Sequence, residues 1–238
     1  SGVSHPDGYY KSEDKLGALP VTYEAWVNVK DYEAFKIGGT VLSNRAKGKN
    51  SYFELELLPF GQISLKYNNE GTKKTYTFPV EADSSRSDVN PVRIWNDGWH
   101  HLALVHDTAN NKIKCYIDGV FASEMGAEGF AVPAAANMGK TLYLGVGGED
   151  GYTKFGASGA FVGIISDATL YSDVRTDAEI KSDYENGANV ADEALLVAYE
   201  ISSFNQKRGA EDISGNGVDL KWYSSNIVMD STKESYST

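Results

Sequence analysis

The chain consists largely of short segments in which apolar and polar residues alternate, with a turn signal between one segment and the next. A period of two places every second side chain on the same face of an extended strand, so each segment is expected to be a β-strand with one buried face. Turn signals such as Asn110-Asn111 and Asp118-Gly119 join neighbouring strands. Strands are predicted at 21–29, 40–43, 52–57, 62–67, 74–78, 99–105, 113–117, 120–124, 141–146, 159–172 and 194–199. Many short strands of this kind predict an all-β, two-sheet antiparallel sandwich.

One short helix is predicted near the C-terminus. Thr176 stands three residues before Glu179, which is the spacing of a capping box. Asn186-Gly187 then ends the helix, because glycine readily adopts the backbone conformation that follows a last helical turn.

Length and composition favour a single domain over residues 1–238. A 238-residue all-β chain is within the size of one sandwich, and a hydrophobic fraction of 41% can fill its core. The core is expected over about residues 8–222, and the polar residues 228–238 are expected to form a frayed tail. Cys115 is the only cysteine, so the chain forms no internal disulfide.

The formal net charge of −11 restricts the partners of the chain. Phosphate binding needs clustered Lys and Arg, so nucleic acid and anionic membrane surfaces are poor partners. No apolar run approaches the roughly 20 residues of a membrane-spanning helix, so membrane insertion is not expected. Acidity is compatible with Ca²⁺ and with neutral ligands.

Several motifs together resemble a known family. The run Asn96–Val105, followed by Tyr116–Gly119, resembles the core signature of laminin-G-like domains of the concanavalin A-like lectin/glucanase superfamily. Tyr23–Val27, Leu142–Gly145 and Phe161–Ala168 resemble other strands of that family. The resemblance implies a jelly-roll sandwich of the laminin-G or pentraxin type. It also implies a secreted or cell-surface bacterial protein that binds a glycan or another surface ligand.

Aromatic residues beside planar polar ones are the candidates for glycan binding. A flat ring stacks on sugar C–H groups, and neighbouring amides or carboxylates orient the sugar. Trp95-Asn96-Asp97 offers this mixture in a loop, Tyr67 is expected at a hairpin tip, and Tyr152 lies in a Gly-rich loop. Each of these residues also has an ordinary structural interpretation.

A calcium site is predicted at Asp212, Ser214 and Asn216. These residues place oxygen-bearing side chains at alternate positions of a Gly-containing loop, and Ca²⁺ prefers hard oxygen ligands. The alternative is an Asx-type turn with a structural role only. Glu149-Asp150 is a second candidate for calcium.

Glu54 and Glu56 are the best enzymatic hint that the motifs provide. They lie at i and i+2 of one strand, as paired carboxylates do in glycosidases of this architecture. Leu57-Leu58 stands where a third carboxylate is usual, so a non-catalytic module is favoured. The expected function is therefore that of a monomeric, extracellular or cell-surface carbohydrate-binding or adhesion module that adjoins other domains of one polypeptide. A structural spacer or protein-interaction domain is the alternative.

Overall fold

A computed structural model describes residues 8–46, 48–78, 92–148, 160–200 and 209–224. The strands are β1 (Gly8–Ser12), β2 (Thr22–Asn28), β3 (Gly39–Ser43), β4 (Tyr52–Leu57), β5 (Ile63–Asn69), β6 (Thr72–Phe78), β7 (Trp99–Asp107), β8 (Lys112–Ile117), β9 (Val120–Gly126), β10 (Tyr143–Leu144), β11 (Ile164–Tyr171), β12 (Leu195–Ala198) and β13 (Leu220–Ser224). Within these residues, the α-helices are α1 (Tyr32–Ile37) and α2 (Asp177–Asn186). Short 3₁₀ turns lie at Pro59–Gly61 and Ala135–Asn137.

The strands form two antiparallel sheets. One has seven strands in the order β13-β1-β10-β3-β4-β5-β6, and the other has six in the order β12-β11-β2-β7-β8-β9. The predicted all-β jelly-roll sandwich with a short helix near the C-terminus is confirmed.

The core lies between the two sheets and follows the alternation of the strands. From the six-stranded sheet, Tyr23, Ala25 and Val27 of β2 point inward, and Phe53 and Leu55 of β4 point toward them from the seven-stranded sheet. These side chains belong to one continuous apolar cluster. Burial of that much apolar surface is the main source of stability in such a fold.

The helix α2 covers part of the outer face of the six-stranded sheet. Its Ile180 packs with Ala103, Val105 and Tyr116 in a second apolar cluster. The predicted capping box is present, because the Thr176 side chain and the Glu179 side chain each bond to the other residue's backbone N–H.

The structure differs from the sequence prediction in several elements, and the strands β1 and β13 were not predicted. The helix α1 was not predicted; it begins at Asp31, whose Oδ1 accepts the N–H groups of Glu33 and Ala34 at 3.0 and 3.2 Å. The strand predicted at 141–146 is paired only at Tyr143–Leu144, and β11 begins at Ile164, later than the predicted start at 159. Predictions for residues 228–238 lie outside the described residues.

Candidate functional site

Exposed apolar side chains gather at one end of the sandwich. This end, which we call the α1 end, consists of α1, the β4–β5 turn (58–62), residues 92–98 and the β8–β9 turn (118–119). Within the described part of the chain, the exposed large apolar residues at or beside it are Tyr32, Phe60, Trp95, Trp99, Val120, Phe121 and Ile164. Only Val174 and Val190, at the opposite end, complete that set. Because exposed apolar surface is unfavourable in water, its concentration at one end marks a candidate interaction surface.

Three aromatic rings form the centre of this surface, which we call the aromatic patch. Phe35 of α1 is buried and forms its base. The edge of Phe60 meets Phe35 at a centroid distance of 5.7 Å and an interplanar angle of 83°. The Trp95 ring lies 6.4 Å from Phe35 on centroids. Phe60 and Trp95 remain 43% and 39% exposed, so two aromatic rings on a rigid base are presented to solvent.

The backbone of the β4–β5 turn holds Phe60 outward. Phe60 has φ of 63°, a left-handed conformation that non-glycine residues rarely adopt, and such strain is concentrated at functional sites. Gly61 follows at φ 73°, and its carbonyl accepts the Ile94 N–H at 2.8 Å. A Cβ atom at position 61 would lie 1.9 Å from the Ile94 carbonyl oxygen, so only glycine allows the two loops to approach this closely.

Arg93 connects the two loops through their side chains and backbone. Its guanidinium lies 5.0 Å from the centroid of the Trp95 ring, a cation–π contact. Its Nη1 donates to the Phe60 carbonyl at 3.3 Å. The aromatic patch is therefore held by Arg93 as well as by ring packing.

Polar groups border the aromatic patch. Asp97 lies two residues after Trp95, and its side chain is 70% exposed. Its carboxylate contacts Nε2 of His100, and this hydrogen bond lowers the pKa of Asp97. Nδ1 of His100 lies 2.8 Å from Asp118 Oδ2, in the β8–β9 turn. The α1 end thus combines exposed rings with an ionised carboxylate, the two kinds of group that orient a sugar.

The structure places the residues that were predicted to bind a glycan in different environments. Trp95 and Phe60 both contact Phe35 at the α1 end, and Asn96 and Asp97 follow Trp95 in the chain. The prediction for Tyr67 is wrong, because its side chain is completely buried in the core and its hydroxyl bonds to His106 Nδ1 at 2.9 Å. Tyr67 shares a face of β5 with Ile63 and Leu65, which are core residues. Tyr152 lies outside the described residues, as does Glu149-Asp150.

The oxygens of the Asp212 loop are used by the protein itself. Asp212 Oδ1 accepts the N–H groups of Ala198 and Ser214, both at 3.0 Å. Oδ2 accepts the Ser214 hydroxyl at 2.8 Å and the Val218 N–H at 3.0 Å. The Asn216 amide donates to two β12 carbonyls. With two donors on each carboxylate oxygen, the geometry fits the structural turn, and it does not fit a calcium ligand set.

A cluster of acidic side chains surrounds Arg175. Carboxylate oxygens of Asp173, Glu179 and Asp192 lie within 4.8 Å of one another. Arg175 Nη1 donates to Glu179 Oε2 at 2.8 Å and to Asp192 Oδ2 at 2.5 Å. The guanidinium pairs with Glu179 and Asp192 of this cluster, and it also pairs with the buried Asp183 at 2.9 Å. Arg175 therefore joins α2 to the chain on both sides of it.

Glu54 and Glu56 lie on the outer face of the seven-stranded sheet with Lys66 between them. Lys66 Nζ is 3.5 Å from Glu54 Oε2 and 3.0 Å from Glu56 Oε1. Burial raises the pKa of Glu54, and its side chain is only 5% exposed. A substrate oxygen cannot reach a carboxyl group covered to that extent without movement of its surroundings.

Sequence reasoning missed Phe35, Phe60 and Arg93. The three residues are separated along the chain and meet only because α1 contacts the β4–β5 turn. One signal was available: Pro59-Phe60-Gly61 places a large apolar residue at a turn, where polar residues are usual.

The two antiparallel sheets form a β-sandwich of the concanavalin A-like class. A family model for the concanavalin A-like lectin/glucanases superfamily, in its Laminin_G_3 form, matches residues 4–181. The chain belongs to this superfamily. A search of curated proteins finds no match.

Solved structures of similar fold include proteins described as carbohydrate-binding. A candidate carbohydrate-binding protein from Bacteroides ovatus ATCC 8483 superposes with a TM-score of 0.61 at 19% identity, covering 91% of this chain and 56% of that one. The CBM40 domain of the Ruminococcus gnavus IT-sialidase, bound to α2,6 sialyllactose, superposes with a TM-score of 0.50 at 17% identity. The match covers 76% of this chain and 93% of that one. A heptameric pentraxin from Limulus polyphemus superposes with a TM-score of 0.50 at 15% identity, and the match covers 77% of this chain and 78% of that one. This chain thus spans little more than half of the B. ovatus protein. At these identities the likeness establishes the fold.

Within the described residues, neither helix is long and apolar enough to cross a bilayer.

Proposed function

We propose that the chain is a non-catalytic carbohydrate-binding module of a longer extracellular protein, and that its ligand stacks on the aromatic patch. The observation that carries this proposal is the pair of exposed rings, Phe60 and Trp95, held on the buried Phe35 at the loop end of the sandwich. Rings of this kind provide the flat apolar surface on which sugars stack, and Asp97 provides an acceptor for sugar hydroxyls. The carbohydrate-binding proteins of the same fold support the ligand class.

A glycan array that includes 3′- and 6′-sialyllactose, lactose and plant and host polysaccharides tests the proposal. Trp95→Ala and Phe60→Ala should each weaken binding about 2- to 12-fold, the range expected for loss of an aromatic contact. Val190→Ala is the matched control, because it removes an exposed apolar side chain at the opposite end. Thermal melts of all variants separate lost binding from lost folding.

Binding should be independent of added calcium, because the Asp212 carboxylate already accepts four hydrogen bonds. The array is repeated with EDTA for this reason. If EDTA abolished all binding, a bound metal ion would be required and the prediction of calcium independence would be wrong.

The absence of hydrolysis is tested on the same oligosaccharides. The Lys66 ammonium between Glu54 and Glu56 and the cover over Glu54 support a structural role for the pair. Release of sugar that Glu54→Gln abolishes would overturn the non-catalytic assignment. If the folded protein bound none of the glycans on the array, a spacer or protein-docking role for the α1 end would be favoured instead.

A further inference from the structure

His100 joins two turns at the α1 end. Its Nδ1 lies 2.8 Å from Asp118 Oδ2, and its Nε2 contacts Asp97 Oδ1. Asp118 is itself fixed, because its Oδ1 accepts the His101 N–H at 2.9 Å. Asp97 lies in residues 95–98, which we call the ligand loop because this segment carries Trp95. His100 therefore ties the ligand loop to the β8–β9 turn.

The two contacts can both be hydrogen bonds only when the imidazole carries two protons. An ionised carboxylate only accepts hydrogen bonds, and a neutral imidazole has a single N–H to donate. Loss of one proton leaves a ring nitrogen lone pair facing a carboxylate oxygen. Asp118 keeps its bond from the His101 backbone, whereas the Asp97 side chain is largely exposed, so Asp97 is the partner that is released.

We infer that His100 is a proton-operated clasp on the ligand loop: charged, it holds Asp97 and Trp95 in the binding geometry, and on losing its proton it releases the loop and weakens ligand binding. This inference rests on the proposed function, because it assigns a form of regulation to the same aromatic patch. The ligand class itself is unchanged.

The charges around the ring set the direction of the effect. Burial lowers the pKa of His100, but the hydrogen bonds and charges of Asp97 and Asp118 outweigh burial and raise the pKa above 6.5. Asp97 and Asp118 are the acids that contact the ring nitrogens, and the β2 residue paired with His100 is the apolar Val27. A raised pKa means that the clasp is closed at pH 6.5 and below, as long as the two carboxylates stay ionised, and that it opens as the pH rises through the pKa of His100 in the folded protein.

A ligand-free titration tests the clasp separately from glycan binding. The chain has four histidines, and the ring signal that is missing from the NMR spectrum of His100→Gln identifies His100. Its midpoint should lie above 6.5, and Asp97→Asn should lower that midpoint. A midpoint below 6.5 in the wild-type protein would overturn the inference whatever the array shows.

The glycan array read at pH 6.0 and pH 8.5 tests the consequence for binding. Wild-type protein should bind about fivefold more weakly at pH 8.5, a coupling at the low end of the usual range. His100→Gln should bind equally at both pH values, at a level close to that of wild type at pH 8.5. Equal binding by wild type at both values, or the same pH ratio in His100→Gln, would refute the clasp. If the protein bound no glycan at either pH while the pKa of His100 was raised, the proposed carbohydrate-binding function would be wrong. The proposed regulation of binding would then be wrong as well.

Discussion

Glu24 is a buried acid that costs the protein stability at neutral pH. It lies on β2 beneath α2, 1% exposed, with neither carboxylate oxygen accepting a hydrogen bond. His101 Nε2 is 3.5 Å away, but burial lowers the pKa of His101 to about 4, so that ring is neutral. Burial, the charge of Asp183 and the hydrogen bond that protonated Glu24 donates to Asp183 raise the pKa of Glu24 well above its usual value, although the charge of Arg175 acts in the opposite direction.

Glu24→Gln is expected to stabilise the protein at neutral pH. An unfolded glutamate ionises near pH 4.5, whereas folded Glu24 holds its proton to a higher pH, so folding becomes less favourable as the pH rises from 4.5 toward the pKa of folded Glu24. The neutral amide has nearly the same shape and removes this dependence. We expect a gain on the order of 1–3 kcal/mol in urea unfolding at pH 8 and little change at pH 4.5.

The matched control for this substitution is Glu185→Gln, which removes an exposed carboxylate from α2 itself. It should leave the pH dependence of unfolding unchanged. If the stability of wild type and that of Glu24→Gln depend on pH in the same way, Glu24 is ionised in the folded protein and our assignment is wrong.

At the scale of elements, the docking of α2 depends on a glycine in the opposite turn. Gly119 has φ of 75°, and a Cβ there would lie 2.7 Å from Cδ1 of Tyr184 and 3.0 Å from its Cβ. The Tyr184 ring in turn stacks on Trp26 at 5.3 Å. The β8–β9 turn and α2 can therefore touch only if residue 119 has no side chain.

Gly119→Ala should destabilise the protein more than an alanine placed in the same backbone conformation elsewhere. Gly129 is the matched control, since its φ is 76° and nothing lies within 4 Å of a Cβ at that position. Gly129→Ala should cost about 1 kcal/mol from backbone strain, and Gly119→Ala about 1–3 kcal/mol more from the displaced helix. Equal urea midpoints for the two variants would show that α2 adapts without loss.

The sequence predicted elements well where the signal is local, and poorly where it is not. The capping box at Thr176 and the glycine at 187 delimit α2 by contacts within a few residues, so that helix was found. The helix α1 has only six residues, and the capping aspartate at 31 was its only start signal. The burial of Tyr67 was readable from its shared periodicity with Ile63 and Leu65. The proximity of Phe60 and Trp95 could not be predicted from the sequence, because it depends on how α1 packs against a distant turn.

At the scale of the whole molecule, the strands beyond the family match form one edge of each sheet. Residues after 181 supply β12, which pairs with β11, and β13, which pairs with β1. Val218 and Leu220 belong to the same core cluster as Val27 of β2. The C-terminal part of the described chain is thus built into the sandwich.

Deletion of residues 209–238 should therefore strongly destabilise the whole domain. It removes Val218 and Leu220, whose burial contributes about 3–6 kcal/mol, together with the Tyr199–Val218 hydrogen bond and the Asp212 turn. That loss is comparable to the total stability of a typical domain, about 5–15 kcal/mol, and it leaves β1 as an uncovered edge that promotes aggregation. Deletion of 228–238 alone is the control, because the sequence predicts a tail there. Urea unfolding followed by Trp fluorescence, with size-exclusion chromatography, compares the two. An unfolding midpoint for the longer deletion equal to that of the control would mean that the sandwich is complete without β13, and that its core ends before residue 209.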